Sequence, residues 1–182
     1  MPDEIAVSIH DHRAALDALD ELADLYEQVY AEPPYNSAEK FSRARFLART
    51  RDQVLASGFR LVTARRGGGL VGFAFGFSMK PGTWWANASA PPREVLDADK
   101  FAVIELVVSK SERGYGRGRL LLDELLAGRP EQFATLAAVL DADAYRMYLR
   151  WGWVKAGEFR AEPPFSDALV LPLRPDDESA PA

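Results

Sequence analysis

Cysteine is absent from this chain of 182 residues. That excludes a disulfide framework, a thiolate zinc site and a cysteine nucleophile, and it fits a reducing cytoplasm, the compartment expected here. Histidine is scarce. His10 and His12 lie at an early strand-to-helix junction, and with no matched acidic ligands nearby they read as surface residues, so no metal site is expected. Long apolar runs are missing, none approaching the roughly 20 residues that span a bilayer. Met1-Pro2-Asp3-Glu4 lacks the basic start and apolar stretch of a signal peptide, so no membrane partner is expected. Positive charge is in deficit, 22 basic against 27 acidic residues for a net charge of -5. That argues against a nucleic-acid partner, for which a basic face supplies most of the affinity.

What is present is an ordinary globular composition, 48% hydrophobic and 27% charged, in a length suited to one domain with a proper core. The expected limits are one domain over 1–175 and a disordered polar tail over 176–182. Charge is uneven along the chain. Asp11 to Glu32 holds seven acids and one base (Arg13), whereas Lys110 to Arg119 holds four bases and one acid (Glu112). One stretch favours a cation and the other an anion.

Ile5 to Ile9 predicts a short strand. Leu16, Leu19, Leu22, Tyr26 and Val29 then recur at helical spacing, predicting an amphipathic helix from about Asp11 that Pro33-Pro34 must stop. A second helix is expected behind Ser37 as N-cap, ending before Gly58. Phe59–Ala64 and Leu70–Met79 flank a glycine-rich hairpin signal. In the second of these strands Val71, Phe73, Phe75 and Phe77 alternate with Gly72, Ala74 and Gly76, so one face is nearly bare and lets something pack close. Lys80 to Asp99, with Trp84-Trp85, reads as a long loop. Phe101 to Val108 is an apolar strand interrupted only by Glu105. A helix carrying Leu121, Leu122, Leu125 and Leu126 follows and is closed by Gly128-Arg129-Pro130. Then come a strand over Phe133–Leu140, a short helix over Asp143–Arg150, and closing strands over Trp153–Phe159 and Ala168–Leu173. The order describes a mixed α/β domain.

Between the central strand and its helix lies Arg113-Gly114-Tyr115-Gly116-Arg117-Gly118. The first amides of a helix have no intrahelical partner and sit at the positive end of its dipole. The three glycines let the backbone approach an anion, and Arg113, Arg117 and Arg119 add charge-assisted donors. A pyrophosphate is the expected guest. Gly118-Arg119-Leu120 excludes a P-loop, and Arg119 fills the third glycine position of the dinucleotide fingerprint, which fails as well.

Arg113-x-x-Gly116-x-Gly118, preceded by Ile104-Glu105-Leu106-Val107-Val108 and followed by Leu120-Leu121-Leu122, closely resembles the acetyl-CoA signature of the GCN5-related N-acetyltransferases (GNAT), Q/R-x-x-G-x-G/A. Ala144-Tyr145-Arg146-Met147-Tyr148-Leu149-Arg150-Trp151-Gly152-Trp153 resembles the family's second landmark. The likeness is strong over about Phe101 to Phe159 and topological before that. It implies the GNAT (acyl-CoA N-acyltransferase) fold: a central mixed, mostly antiparallel sheet, splayed between strands 4 and 5 and flanked by helices. It also implies an acyltransferase that moves an acetyl group from acetyl-CoA to an amine by direct attack, and dimers are common in the family.

By that resemblance the amides of Leu106, Val107 and Val108 hold the pantetheine arm, Val107 also facing the thioester oxygen. The residues Arg113, Gly114, Tyr115, Gly116, Arg117 and Gly118 hold the pyrophosphate. Asp141 stands where the family often has asparagine; its carboxylate either repels the cofactor or helps hold a cationic acceptor. Tyr148 matches the tyrosine that protonates the leaving thiolate, a role open to a phenol with a reference pKa of about 10. The bland alternative is a core aromatic, a place that Tyr145 fills better. Glu105 is either the general base, suited to it by a raised pKa, or half of an ion pair with an arginine of the second helix. The acceptor region offers Glu27, Tyr30, Glu32, Tyr35, Trp84 and Trp85, a set suited to a small cationic amine, aminoglycoside-like compounds among them. Two alternatives stand beside this one: a protein or peptide amine as acceptor, and a non-catalytic acyl-CoA sensor.

Overall fold

The structure is a computed structural model and describes residues 4–173; the tail expected at 176–182 lies outside the described residues. The chain opens with β1 (Ile5–His10), α1 (His12–Asp17) and α2 (Leu19–Tyr30). The single helix expected from Asp11 is thus two. Asp11 does cap the first piece, its carboxylate accepting from the Ala14 amide at 2.9 Å, but the backbone breaks at Ala18. Leu16, counted in the apolar stripe, consequently points outward and is exposed. The second expected helix also starts later. α3 spans Arg43–Gln53 behind Ser42, whose hydroxyl accepts from the Arg45 amide. Ser37 does not serve as its cap: it sits at φ 54, and its amide turns back to the Tyr30 carbonyl. An N-cap needs extended φ/ψ, which this tight series of turns denies it.

β2 (Arg60–Arg66) and β3 (Gly69–Met79) form the expected hairpin. Gly67 and Gly68 both take positive φ, as a two-residue turn of matching twist requires. α4 (Arg93–Leu96) and an isolated bridge between Ala88 and Phe159 give structure to the stretch read as a long loop. The remaining elements are β4 (Lys100–Val108), α5 (Arg117–Leu126), β5 (Phe133–Val139), α6 (Asp143–Arg150), β6 (Val154–Phe159) and β7 (Ser166–Pro172). Strand order is β1-β2-β3-β4-β5-β7-β6. The pairs β1–β2, β2–β3, β5–β7 and β6–β7 are antiparallel and β4–β5 is parallel. That parallel pairing joins Lys100–Ala102 to Phe133–Thr135, although β4 runs on to Val108 and β5 to Val139. This is the expected fold: a mixed, mostly antiparallel sheet flanked by helices.

The described residues group into two compact units. One runs to Phe77 and resumes with Val103–Ala127; the other holds Ser78–Ala102 and the chain from Gly128 onward. In the first, Leu22, Tyr26, Phe46, Leu61, Phe73, Phe75 and Val107 build the core. Full burial of each large side chain contributes roughly 1.5–3 kcal/mol. The bare face of β3 is used within this unit. A Cβ on Gly72 would lie 2.9 Å from Leu121 of α5 and 3.1 Å from the Val107 carbonyl of β4, so glycine is what admits them. Arg60 closes the far end of α5 by donating to the carbonyls of Leu125 and Ala127, which lack helical partners.

In the second unit Val95, Ala156 and Val170 form a smaller core with Trp84 and Phe133 against it. Lys100, immediately before the strand as it was expected, is fully buried. Its ammonium donates to the carbonyls of Val95 (3.1 Å), Leu96 (3.0 Å) and Ala98 (2.7 Å). One side chain thus satisfies the chain reversal that ends α4, where a charge without partners would be prohibitive. Among the described residues no helix is long and apolar enough to cross a membrane.

Candidate functional site

In the first unit the chemistry centres on Glu105, which β4 holds 7% exposed. The Tyr30 hydroxyl, at the end of α2, donates to its Oε2 at 2.9 Å. Arg49 of α3 lies 3.5 Å from its Oε1 and donates a shorter bond, 2.7 Å, to the Tyr26 hydroxyl. The ion-pair partner is therefore an arginine of the expected second helix. Burial nevertheless dominates, and it pushes the Glu105 carboxyl up to about 7 against the pull of Arg49 and Tyr30. Such a group exchanges a proton near neutrality, so the pairing and the proton-transfer readings of Glu105 are compatible. The Tyr30 phenol is driven well above its ordinary value by burial and by the Glu105 charge, so it acts as a fixed donor.

Aromatic rings line the same neighbourhood. Tyr30 stacks on Tyr26 at 4.2 Å between ring centroids, with Tyr35 at 4.6 Å and Phe41 at 4.7 Å from it. Of the acceptor residues read from the sequence, Tyr30 and Tyr35 thus come together beside Glu105. Glu27 remains largely exposed, 3.7 Å from Arg43. Trp84 and Trp85 belong to the other unit and their indole N–H groups are occupied there. Trp84 donates to the Ser89 carbonyl at 3.0 Å, and Trp85 to the Thr135 hydroxyl at 2.9 Å.

The turn 113–118 has the geometry of an anion cradle. Gly114 and Gly116 sit at φ 82 and 76 with open space where a Cβ would stand. Gly116 is the N-cap of α5 and supplies no side-chain cap, so the first helical amides keep their need for an acceptor. Each arginine of the stretch has a carboxylate beside it. Arg113 forks onto Glu32 at 2.9 and 2.7 Å and donates through Nε to the Val108 carbonyl. Arg117 lies 3.5 Å from Glu112, which Arg66 grips at 2.7 and 3.1 Å. Arg119 pairs with Asp123 one turn along α5. The turn thus offers backbone amides, with Tyr115 exposed between them. Of the three β4 residues expected to line the donor, Val107 is buried, while Leu106 and Val108 are half-buried.

In the second unit Tyr148 of α6 is buried, edge-on to Trp151 and Trp153, each 5.9 Å away between centroids. Tyr145 donates to Asp167 at 2.6 Å; burial and that bond push its phenol up to about 12. Asp141 is exposed in the turn before α6. Among the described residues no group of three or more His, Asp or Glu side chains could hold a metal ion, and His10 instead bonds Thr63 at 2.8 Å.

The description "Acetyltransferase (GNAT) family" matches residues 17–153. The chain belongs to the GNAT acetyltransferase family. It is accordingly an acyltransferase, and its family's acetyl donor is acetyl-CoA. No curated protein sequence matches it. Solved structures share the fold. The aminoglycoside 6′-acetyltransferase type Ii is 17% identical, with a TM-score of 0.63 over 93% of this chain and 98% of that one. A ribosomal-protein alanine N-acetyltransferase from Escherichia coli is 14% identical, with a TM-score of 0.63 over 96% and 98%. The PaiA N-acetyltransferase from Thermoplasma acidophilum, solved in complex with coenzyme A, is 12% identical, with a TM-score of 0.58 over 93% and 99%.

For this GNAT chain the residues of the turn fit a coenzyme pyrophosphate, because an uncapped helix start and two Cβ-free positions offer amides to an anion. Sequence reasoning missed two contacts here. Glu32, expected among the acceptor residues, binds Arg113. Glu112, the lone acid of a basic stretch, carried a signal that went unused; it is the buried partner of Arg66.

Proposed function

We propose that this acetyltransferase moves the acetyl group directly to a primary amine within a ternary complex, and that the acceptor is a small cationic amine, aminoglycoside-like compounds included. The observation that carries the reading is Glu105: a buried carboxyl with its proton affinity near neutrality, beside half-buried aromatic faces. Bound acetyl-CoA supplies an activated acyl carbon. Glu105 takes the proton that an incoming ammonium must lose before its nitrogen can attack. Tyr30 and Arg49 keep the carboxylate aimed, and Tyr30 with Tyr35 offers a cation a π face. The Val107 amide would steady the oxyanion developing on the thioester oxygen. Leu106 to Val108 and the turn 113–118 make up the proposed donor set. The reading treats 1–175 as one catalytic domain, supported by the family match running through 17–153, and assigns it to the cytoplasm.

A thiol-release assay with acetyl-CoA tests this against polyamines, aminoglycosides, free amino acids and peptides. Release with a small polycation is expected. Release with peptides alone would move the acceptor to protein amines. Coenzyme A binding without release from any amine would make the chain an acyl-CoA sensor.

A further inference from the structure

We infer that Glu32 is an internal stand-in for coenzyme phosphate and sets the affinity of the donor turn. The inference rests on the donor site proposed above. Arg113 opens the turn 113–118, and its planar fork matches a carboxylate and a phosphate equally well. In this structure the fork is taken by Glu32, with parallel bonds of 2.9 and 2.7 Å from Nη1 and Nη2. Its Nε is held by the Val108 carbonyl at 3.1 Å, a tether that favours displacement of the carboxylate over that of the guanidinium. The Glu32 carboxyl is held below its ordinary range by the Arg113 bond and the charges of Arg113 and Lys110. It is therefore ionised, and a second anion brought to the neighbouring amides meets its repulsion.

Glu32 is also free to leave. Its side chain is 25% and that of Arg113 43% exposed, so a displaced carboxylate regains water, and exposed pairs of this kind are weak beside a multiply charged rival. Glu32 follows α2 within the turns 31–38, where its carbonyl accepts from the amides of Tyr35 and Asn36. Exchange at Arg113 therefore acts on the segment that carries Tyr35. Donor loading and the acceptor-side turns share one ion pair.

The test is calorimetric titration of free coenzyme A into the full chain and into Glu32→Gln and Glu32→Ala at low salt. Both variants are expected to bind at least fivefold tighter than the parent, with the gain shrinking as salt screens the carboxylate. Equal or weaker binding by variants that retain the parent's circular dichroism would overturn the inference and leave Glu32 as a brace for Arg113. Failure of the parent chain itself to bind coenzyme A would overturn the donor site, and the inference with it. A direct readout accompanies the titration: coenzyme A should speed amide hydrogen exchange of Tyr35 and Asn36 in the parent. Unchanged exchange on binding would equally overturn the inference.

Discussion

Two buried carboxylates, one in each unit, have nearly the same exposure and an arginine beside them, yet their proton affinities move in opposite directions. Glu105 is 7% and Glu131 6% exposed. Burial raises both, and for Glu105 it prevails, leaving the group at about 7. For Glu131 burial is outweighed by hydrogen bonds from Arg129 and Ser78, and the carboxyl ends below its ordinary value. The contacts show why. Glu131 has an arginine nitrogen on each oxygen, with Nε at 3.0 Å, and the Ser78 hydroxyl at 2.7 Å. Arg129 itself is pinned over the Phe101 ring, 4.3 Å from its centroid. Glu105 has one short bond, from Tyr30, and an arginine whose shorter contact goes to Tyr26. Glu105 is the more deeply desolvated of the two and has fewer short donors, and together these leave it a proton acceptor where Glu131 is a permanent anion.

The sharpest way to break this comparison is to remove each charge at constant shape. Glu105→Gln is expected to lower kcat/KM by about 10²–10⁴-fold in the thiol-release assay, the usual contribution of a general base. Glu131→Gln should leave turnover near that of the parent but cost about 3–5 kcal/mol of stability in urea, because Arg129 is left unpaired. Exchanged outcomes would reverse the roles assigned here.

The pH dependence of stability comes next and differs in sign. Folded Glu105 holds its proton up to about pH 7, while the unfolded group releases it near 4.5. Between those values the folded chain binds more protons, so this contribution to stability falls as pH rises and levels off above about 7. Relative to Glu105→Gln, the parent should lose roughly 3 kcal/mol across that window. Glu131 contributes stability that is present above its unfolded value and lost as pH falls through its lower folded one. Urea midpoints measured from pH 3 to 8 for both Gln variants separate the two slopes.

Smaller changes should convert one environment toward the other. Arg49→Gln removes the cation from Glu105, so the acidic limb of kcat/KM, expected near pH 7, should move up by about one unit. A limb that stays put would detach Glu105 from catalysis. Ser78→Ala takes one donor from Glu131, raising its proton affinity and costing about 1 kcal/mol; thermal unfolding at neutral pH measures the loss.

Much of this architecture is legible in local sequence. The alternation along β3, the Gly67-Gly68 turn and the limits of α6 follow from rules that act over a few residues. Glu105 also stood out, as a charge in an apolar strand. Its arginine was legible only as some member of the second helix, and its tyrosine not at all. Tyr30 and Glu105 are 75 residues apart, and Glu32 and Arg113 are 81 apart, beyond any local periodicity. The missed boundaries have local causes that compete. Ser37 and Ser42 are both plausible caps, and the turns that place Ser37 at φ 54 decided between them. Leu16 matched the helical stripe, but the break at Ala18 rotated it to solvent.

Lys100 carries a consequence for a protein that handles a reactive thioester. Acyl thioesters modify exposed lysines spontaneously, and any chain that gathers acetyl-CoA offers its own surface amines first. Lys100 is withdrawn from that chemistry, since three carbonyls occupy its ammonium and no solvent reaches it. Its acetylation can only follow local opening of the α4–β4 junction. The fraction of Lys100 acetylated after prolonged incubation, read by peptide mass spectrometry, is thus a built-in clock for how often that part of the second unit breathes.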